Sequence, residues 1–235
     1  MKLARPTLSI ALLVVVAAPL AAEDKPLNTP PAGFTALFNG KDLTGWKGLV
    51  GSPMTRAAMS SEELATKQAE ADKTAHEHWK VEDGVLVYSG KGKMSLCTTK
   101  DYGNFELYVD WKIKEHGDSG IYLRGSPQVQ IWDPKDPAQL KNGCDKGSGA
   151  LWNNQKNPRF PNEVADNPIG EWNTFHIKMV GEKVTIHLNG KLVADNVTME
   201  NVWERDKPIY PTGQIELQDH GNTLYFRNIY LKELP

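Results

Sequence analysis

Gly213-Gln-Ile-Glu-Leu-Gln-Asp-His-Gly221 is followed closely by Leu224-Tyr-Phe-Arg-Asn-Ile-Tyr230. In the first stretch Ile215 and Leu217 alternate with Gln214, Glu216 and Gln218. A period of two is that of a strand with one apolar and one polar face. The polar face carries a carboxylate between two amides, and His220 stands at the strand's end. A solvated strand with a turn at Asp219-His220-Gly221 is the plain alternative. Three hydrogen-bonding groups in register, ending in a histidine, suit a surface that grips something polyhydroxylated.

The same period recurs upstream. Phe105, Leu107, Val109, Trp111 and Ile113 alternate with Glu106, Tyr108, Asp110 and Lys112. Trp79 to Val81 and Val85 to Tyr88 flank a turn at Asp83-Gly84, and Phe175 to Val180 and Val184 to Leu188 flank Gly181-Glu182. Asn189-Gly190 leads into Lys191 to Val193 as a further tight hairpin. Shorter strands are expected at Phe34 to Phe38, Gly120 to Arg124 and Gln128 to Trp132, and a final one at Leu224 to Lys232. Many short strands with regular turns and no internal repeat point to an all-β sandwich or jelly roll. Residues 49–78 differ in texture. Ser60-Ser-Glu-Glu63 has a capping pattern and Glu62 to Glu77 is rich in Ala, Glu, Lys and Gln, which predicts one inserted surface helix. Asp133 to Pro168 is a long connection rich in Pro, Gly and Asn, and such connections are often functional.

Lys2 and Arg5 precede an apolar run from Leu8 to Leu20 and then Ala21-Ala22, the pattern of a signal peptide over 1–22. A polar, proline-rich lead-in, expected to be disordered, covers 23–32, and one domain covers 33–235. The expected location is periplasmic or secreted, with no membrane anchor. Without Lys2 and Arg5, 25 basic and 29 acidic residues remain, a net charge of −4. No basic stripe exists, which argues against a nucleic-acid partner. Cys97 and Cys144 are the two cysteines. If paired they would close a loop of about 47 residues, stabilising the fold by roughly 4 kcal/mol; two buried thiols is the equal alternative.

Gln128, Gln130 and Trp132 share one strand parity, and Tyr122 and Arg124 share one on the strand before, which starts at Asp118-Ser-Gly120. If the polar parities face one cleft, it holds Tyr122, Arg124, Gln128, Gln130, Trp132, Glu216 and Gln218, with Asp118, Asp133 and His220 at strand ends. Aromatics beside amides and carboxylates suit a pyranose, which has an apolar face and a hydroxyl rim. His116 could join Asp118 in an acid/base or metal site, and His176 and His187 read as solvated. The Glu-x-Asp-x-x-Glu pattern of jelly-roll glucanases, which supplies the closely spaced carboxylates of a retaining glycosidase, is absent, as are GxSxG and HExxH.

The chain resembles the 3-keto-disaccharide hydrolase domain family. The matching stretches are Leu37-Phe-Asn-Gly-Lys-Asp-Leu-Thr-Gly-Trp46, Trp79-Lys-Val-Glu-Asp-Gly84, Asp118-Ser-Gly-Ile-Tyr-Leu-Arg124, Val129-Gln-Ile-Trp-Asp133, Gly170-Glu-Trp-Asn173, Leu188-Asn-Gly190, Leu217-Gln-Asp-His-Gly221 and Phe226-Arg-Asn-Ile229. The resemblance implies a concanavalin/laminarinase-like jelly-roll β-sandwich and hydrolysis of glycosides already oxidised to a ketone at C3. It further implies a small carbohydrate substrate and functional coupling to a sugar 3-oxidoreductase. A C3 ketone acidifies the C2 hydrogen, and cleavage by elimination through the enolate needs a base, an enolate stabiliser and a proton donor. The expected assignment is Glu216 as base, Arg124 as stabiliser and His220 as acid. Asp133 would orient His220 or help hold a divalent metal, a cofactor left open. Asp118, Tyr122, Gln128, Gln130, Trp132 and Gln218 would bind substrate. The family often has Glu at the position of Gln128 and Asn at that of Asp118, so a carboxylate role there would shift to Asp118 or Glu216. A non-catalytic carbohydrate-binding module is the alternative function.

Overall fold

The structure, a computed structural model, describes residues 26–235. The expected signal peptide and the first residues of the lead-in lie outside the described residues. Thirteen strands are present in them: β1 (Thr35–Ala36), β2 (Trp46–Gly48), β3 (Trp79–Glu82), β4 (Val85–Tyr88), β5 (Leu96–Thr98), β6 (Phe105–Ile113), β7 (Asp118–Tyr122), β8 (Gln128–Trp132), β9 (Asn173–Val180), β10 (Lys183–Leu188), β11 (Lys191–Thr198), β12 (Glu216–Leu217) and β13 (Leu224–Glu233). Between β2 and β3 lie two helices, α1 (Pro53–Ala57) and α2 (Ser61–His78).

The strands form an all-β jelly-roll sandwich. The larger sheet runs β11-β10-β9-β6-β13-β4-β3, with β1 also paired to β13; the smaller runs β2-β5-β12-β7-β8. The closing strand β13 is central, not an edge. Its first half pairs with β4 and its second half with β1, split by a register shift where Asn228 takes a left-handed turn. The alternation expected for 105–113 holds: its odd-numbered side chains are all buried. They meet Phe175, Ile177, Met179 and Phe226 of the same sheet and Ile121, Val129, Ile131, Ile215 and Leu217 of the other in one continuous core. Burying each such large apolar side chain contributes about 1.5–3 kcal/mol.

Within the lead-in, Asn28 is tied to the sandwich: Asn28 and Asn228 exchange backbone-to-side-chain hydrogen bonds at 2.8 and 2.9 Å, and Asn28 Nδ2 donates to Gly84 O. The insert holds the substantial helix expected, α2, with Ser60 capping it through Glu63 N, plus the short α1. Acidic residues occupy the first turn of α2 and His76 and His78 the last, matching the helix dipole. α2 covers edge strand β2: Asp72 accepts from Gly48 N and Gln68 donates to Gly48 O. The approach is so close that a Cβ on Gly48 would lie 2.3 Å from Ala71 O. Such a cover protects an edge that would otherwise pair with another chain. Among the described residues no helix is long and apolar enough to cross a membrane.

Candidate functional site

Side chains on the smaller sheet alternate between the core and its other, outer face. Across the outer face, register places Lys47, Cys97, Glu216, Tyr122 and Gln128 in one row. Gly120 faces Gln130, and Asp118 faces Trp132. Gly120 leaves the space that the Gln128 side chain crosses; a Cβ there would sit 2.2 Å from Gln128 Nε2.

The amides form a connected ladder. Gln128 Nε2 donates to Gln218 Oε1 at 2.6 Å and to Gln130 Oε1 at 3.0 Å, and Gln130 Nε2 donates to Asp118 Oδ1 at 2.6 Å. The other carboxylate oxygen, Asp118 Oδ2, lies 3.7 Å from His220 Nδ1. Gln128, Gln130 and Asp118 are buried and His220 is exposed, so the ladder runs from the interior to the rim. These groups line a cleft of about 280 Å³ together with Tyr122, Trp132 and Gln218. Burial raises the Asp118 carboxyl above the ordinary 3.8, against the lowering effects of His220 and the Gln130 hydrogen bond. Burial and the Glu216 charge push the Tyr122 hydroxyl up to about 12, so it stays a proton donor at neutral pH.

The structure thus brings together Asp118, Tyr122, Gln128, Gln130, Trp132, Gln218 and His220. It separates three expected members from them. Arg124 lies past the end of β7 in a left-handed turn, φ 56°, which ends the strand parity. Its guanidinium turns away and donates to Gly103 O, Asn104 Oδ1 and Tyr210 O. Asp133 also faces elsewhere: it accepts from His116 N and Lys135 N, and Asp118 is the carboxylate beside His220. Glu216 is on the outer face but sealed under α1, 3% exposed, with Arg56 Nη2 at 3.7 Å. That distance is too long for a hydrogen bond, and Glu216 Oε1 is buried with no donor.

Trp132 is a wall more than an open platform. It is buried, donates Nε1–H to Gly147 O, and meets the half-buried Trp152 edge-to-face at 5.2 Å. Trp152, Asn153, Gln139 and Asn142 join the cleft from the long 133–168 connection. Its length and its tryptophan were the only signals of this in the sequence. His116 pairs with Asp136 at 3.1 Å, and His176 stacks on Tyr108 at 4.3 Å, half-buried where a solvated face was expected. Cys97 and Cys144 are free, buried thiols, Cys97 under the insert and Cys144 in the connection. Among the described residues no group of three or more His, Cys, Asp or Glu converges to hold a metal ion.

Burial pushes the Glu216 carboxyl from 4.5 up to about 7, with Arg56 acting the other way. The folded state then binds this proton more tightly than the unfolded chain. Its contribution to stability is complete below about pH 4.5 and is lost as pH rises through about 7, a decline of about 3 kcal/mol. Glu216→Gln is therefore expected to be more stable than the wild type at pH 8 relative to pH 4.5, by urea midpoints at both. An equal difference at the two pH values would disprove it.

The two-sheet jelly roll thus carries a cleft lined by amides and a carboxylate–imidazole pair, groups able to hydrogen-bond a polyhydroxylated ligand. Residues 33–232 match the model of the 3-keto-alpha-glucoside-1,2-lyase-like domain, and the chain belongs to that family. It is 23% identical to a 3-keto-disaccharide hydrolase of Bacteroides thetaiotaomicron over 255 residues, covering 86% of this chain and 79% of that protein. Among solved structures it is similar to a protein of Parabacteroides distasonis provisionally assigned as a glycosyl hydrolase, with TM-score 0.66 and 26% identity over 89% of this chain and all of that one. A second such protein of the same species gives TM-score 0.57 and 28% identity over 67% of this chain and 91% of that one. Membership of this family is consistent with carbohydrate-acting hydrolase activity.

Proposed function

We propose that the protein is an exported hydrolase of 3-keto glycosides, acting by elimination and hydration. The observation that carries this reading is the Asp118–His220 pair at the open end of a buried amide ladder. A ketone at C3 acidifies the C2 hydrogen. Asp118 removes that proton, and the electron pair moves onto the C3 oxygen, which accepts a hydrogen bond from the Tyr122 hydroxyl. The enolate then reforms the ketone and expels the C1 oxygen, which takes a proton from protonated His220. Water adds to C1 of the enone and C2 regains a proton, so the net reaction is hydrolysis.

Asp118 takes the part expected of Glu216, and Tyr122 that expected of Arg124, because these are the groups at the cleft. Gln128, Gln130 and Gln218 hold and orient one another, leaving their remaining hydrogen-bonding capacity for sugar hydroxyls. No second carboxylate is needed, which fits an amide at Gln128. The chemistry requires a preceding oxidation at C3, so a sugar 3-oxidoreductase must supply the substrate.

A 3-keto glucoside deuterated at C2 tests the route. Cleavage is expected to show a primary isotope effect with loss of label to solvent. Full retention of label without an isotope effect would overturn it.

A further inference from the structure

The outward groups of 213–218 continue past the cleft: Gln218, then Glu216, then Gln214. An extended run of four residues spans about 13 Å, room for two linked pyranose rings. Only the Gln218 end is open to the cleft. Over Glu216 sits α1, and the atoms converge tightly there: a Cβ on Gly125 would lie 2.9 Å from Pro53 Cγ, 3.0 Å from Glu216 Oε1 and 3.6 Å from Arg56 Nη2. Beyond α1 a second cavity of about 700 Å³ is lined by Lys47, Arg56, Thr99, Asp101, Tyr210 and Gln214. Gln214 is 7% exposed and its Oε1, like that of Glu216, is buried with no donor.

We propose that α1 is a displaceable cover, and that Gln214, Glu216 and Lys47 beneath and beside it form a second sugar subsite continuing the cleft. This rests on the 3-keto glycoside reading and names the substrate as a two-ring glycoside. Two features carry it. First, α1 is weakly held. It is five residues long and buries none of them, and Arg56 Nη1 is bonded only to Val50 O and Gly51 O of its own loop. The 3.7 Å approach of Arg56 to Glu216 is its charged link to the sheet. Second, each orphaned buried acceptor costs about 1–3 kcal/mol. Hydroxyl donors of a second ring satisfy both acceptors once α1 lifts, and the Lys47 ammonium supplies a donor in return.

Cys97 reports on the cover, because it lies between Lys47 and Glu216 in the same row. Labelling of the native protein with a thiol reagent, mapped by peptide mass, is expected to modify Cys97 faster than global unfolding allows. Arg56→Gln is expected to speed this several-fold while Cys144 stays unchanged. Gln214→Leu, which removes one hydrogen bond to the second ring, is expected to raise KM for a 3-keto disaccharide about tenfold. It should leave KM for methyl 3-keto-glucoside unchanged. Cys97 reacting only at the unfolding rate in both proteins would overturn the cover, and an equal KM change for both sugars would overturn the subsite. If the wild type cleaves neither sugar, the functional reading and the subsite fall together, while labelling still decides whether α1 lifts.

Discussion

Asp118→Asn is expected to lower kcat on a 3-keto glycoside by roughly 10²–10⁴-fold, the range for removing a general base. The substitution is isosteric, and the amide oxygen still accepts from Gln130 Nε2, now 2.6 Å from Asp118 Oδ1. The ladder and the affinity for substrate should therefore survive within a few-fold. In the wild type, kcat/KM is expected to fall as pH drops through the Asp118 value, which burial holds above 3.8. The variant should lose that limb. Full turnover by Asp118→Asn would remove Asp118 from the chemistry. Saturable sugar binding by both proteins, without turnover of any 3-keto glycoside, would establish the binding-module alternative.

Arg124→Met is expected to destabilise the fold by about 3 kcal/mol or more while leaving kcat/KM of the folded fraction within tenfold. The guanidinium is buried, and it ties the turn before β6 to the segment before β12 through Gly103 O at 2.8 Å, Asn104 Oδ1 at 3.1 Å and Tyr210 O at 3.3 Å. Methionine fills similar space but leaves these acceptors without their charged donor. Hydrogen bonds to a charged group are worth about 1.5–3 kcal/mol each, and the freed acceptors are not all exposed to water. Urea unfolding gives the stability, and turnover well below the midpoint gives the activity. A variant of normal stability with a hundredfold loss of turnover would instead put the Arg124 guanidinium on the substrate.

The residues themselves carried the fold class and most of the cleft. Gln128, Gln130 and Trp132 were legible as one face, and so were Glu216 and Gln218, because a strand's alternation is local and fixes the side from which each residue projects. The long runs 105–113, 175–188 and 224–232 were legible for the same reason, and α2 through its cap and composition. Three-residue strands such as β2 and β5 are too short to show a period, and their pairing comes from neighbours far away in the chain.

What only the tertiary structure decided is which groups meet across those distances and what lies over them. Asp118 begins β7 and His220 lies in the loop after β12, and the pairing of β7 with β12 brings them together. Arg124 leaves the face because β7 ends at Tyr122 and the backbone turns left-handed at Arg124, two residues on. Glu216 has the right parity and is still denied to the cleft, because an insert beginning far upstream folds back over it. Alternation is set by bonds between adjacent residues and is written in the sequence. Cover, pairing and burial are set by long-range packing, which no short stretch of sequence encodes.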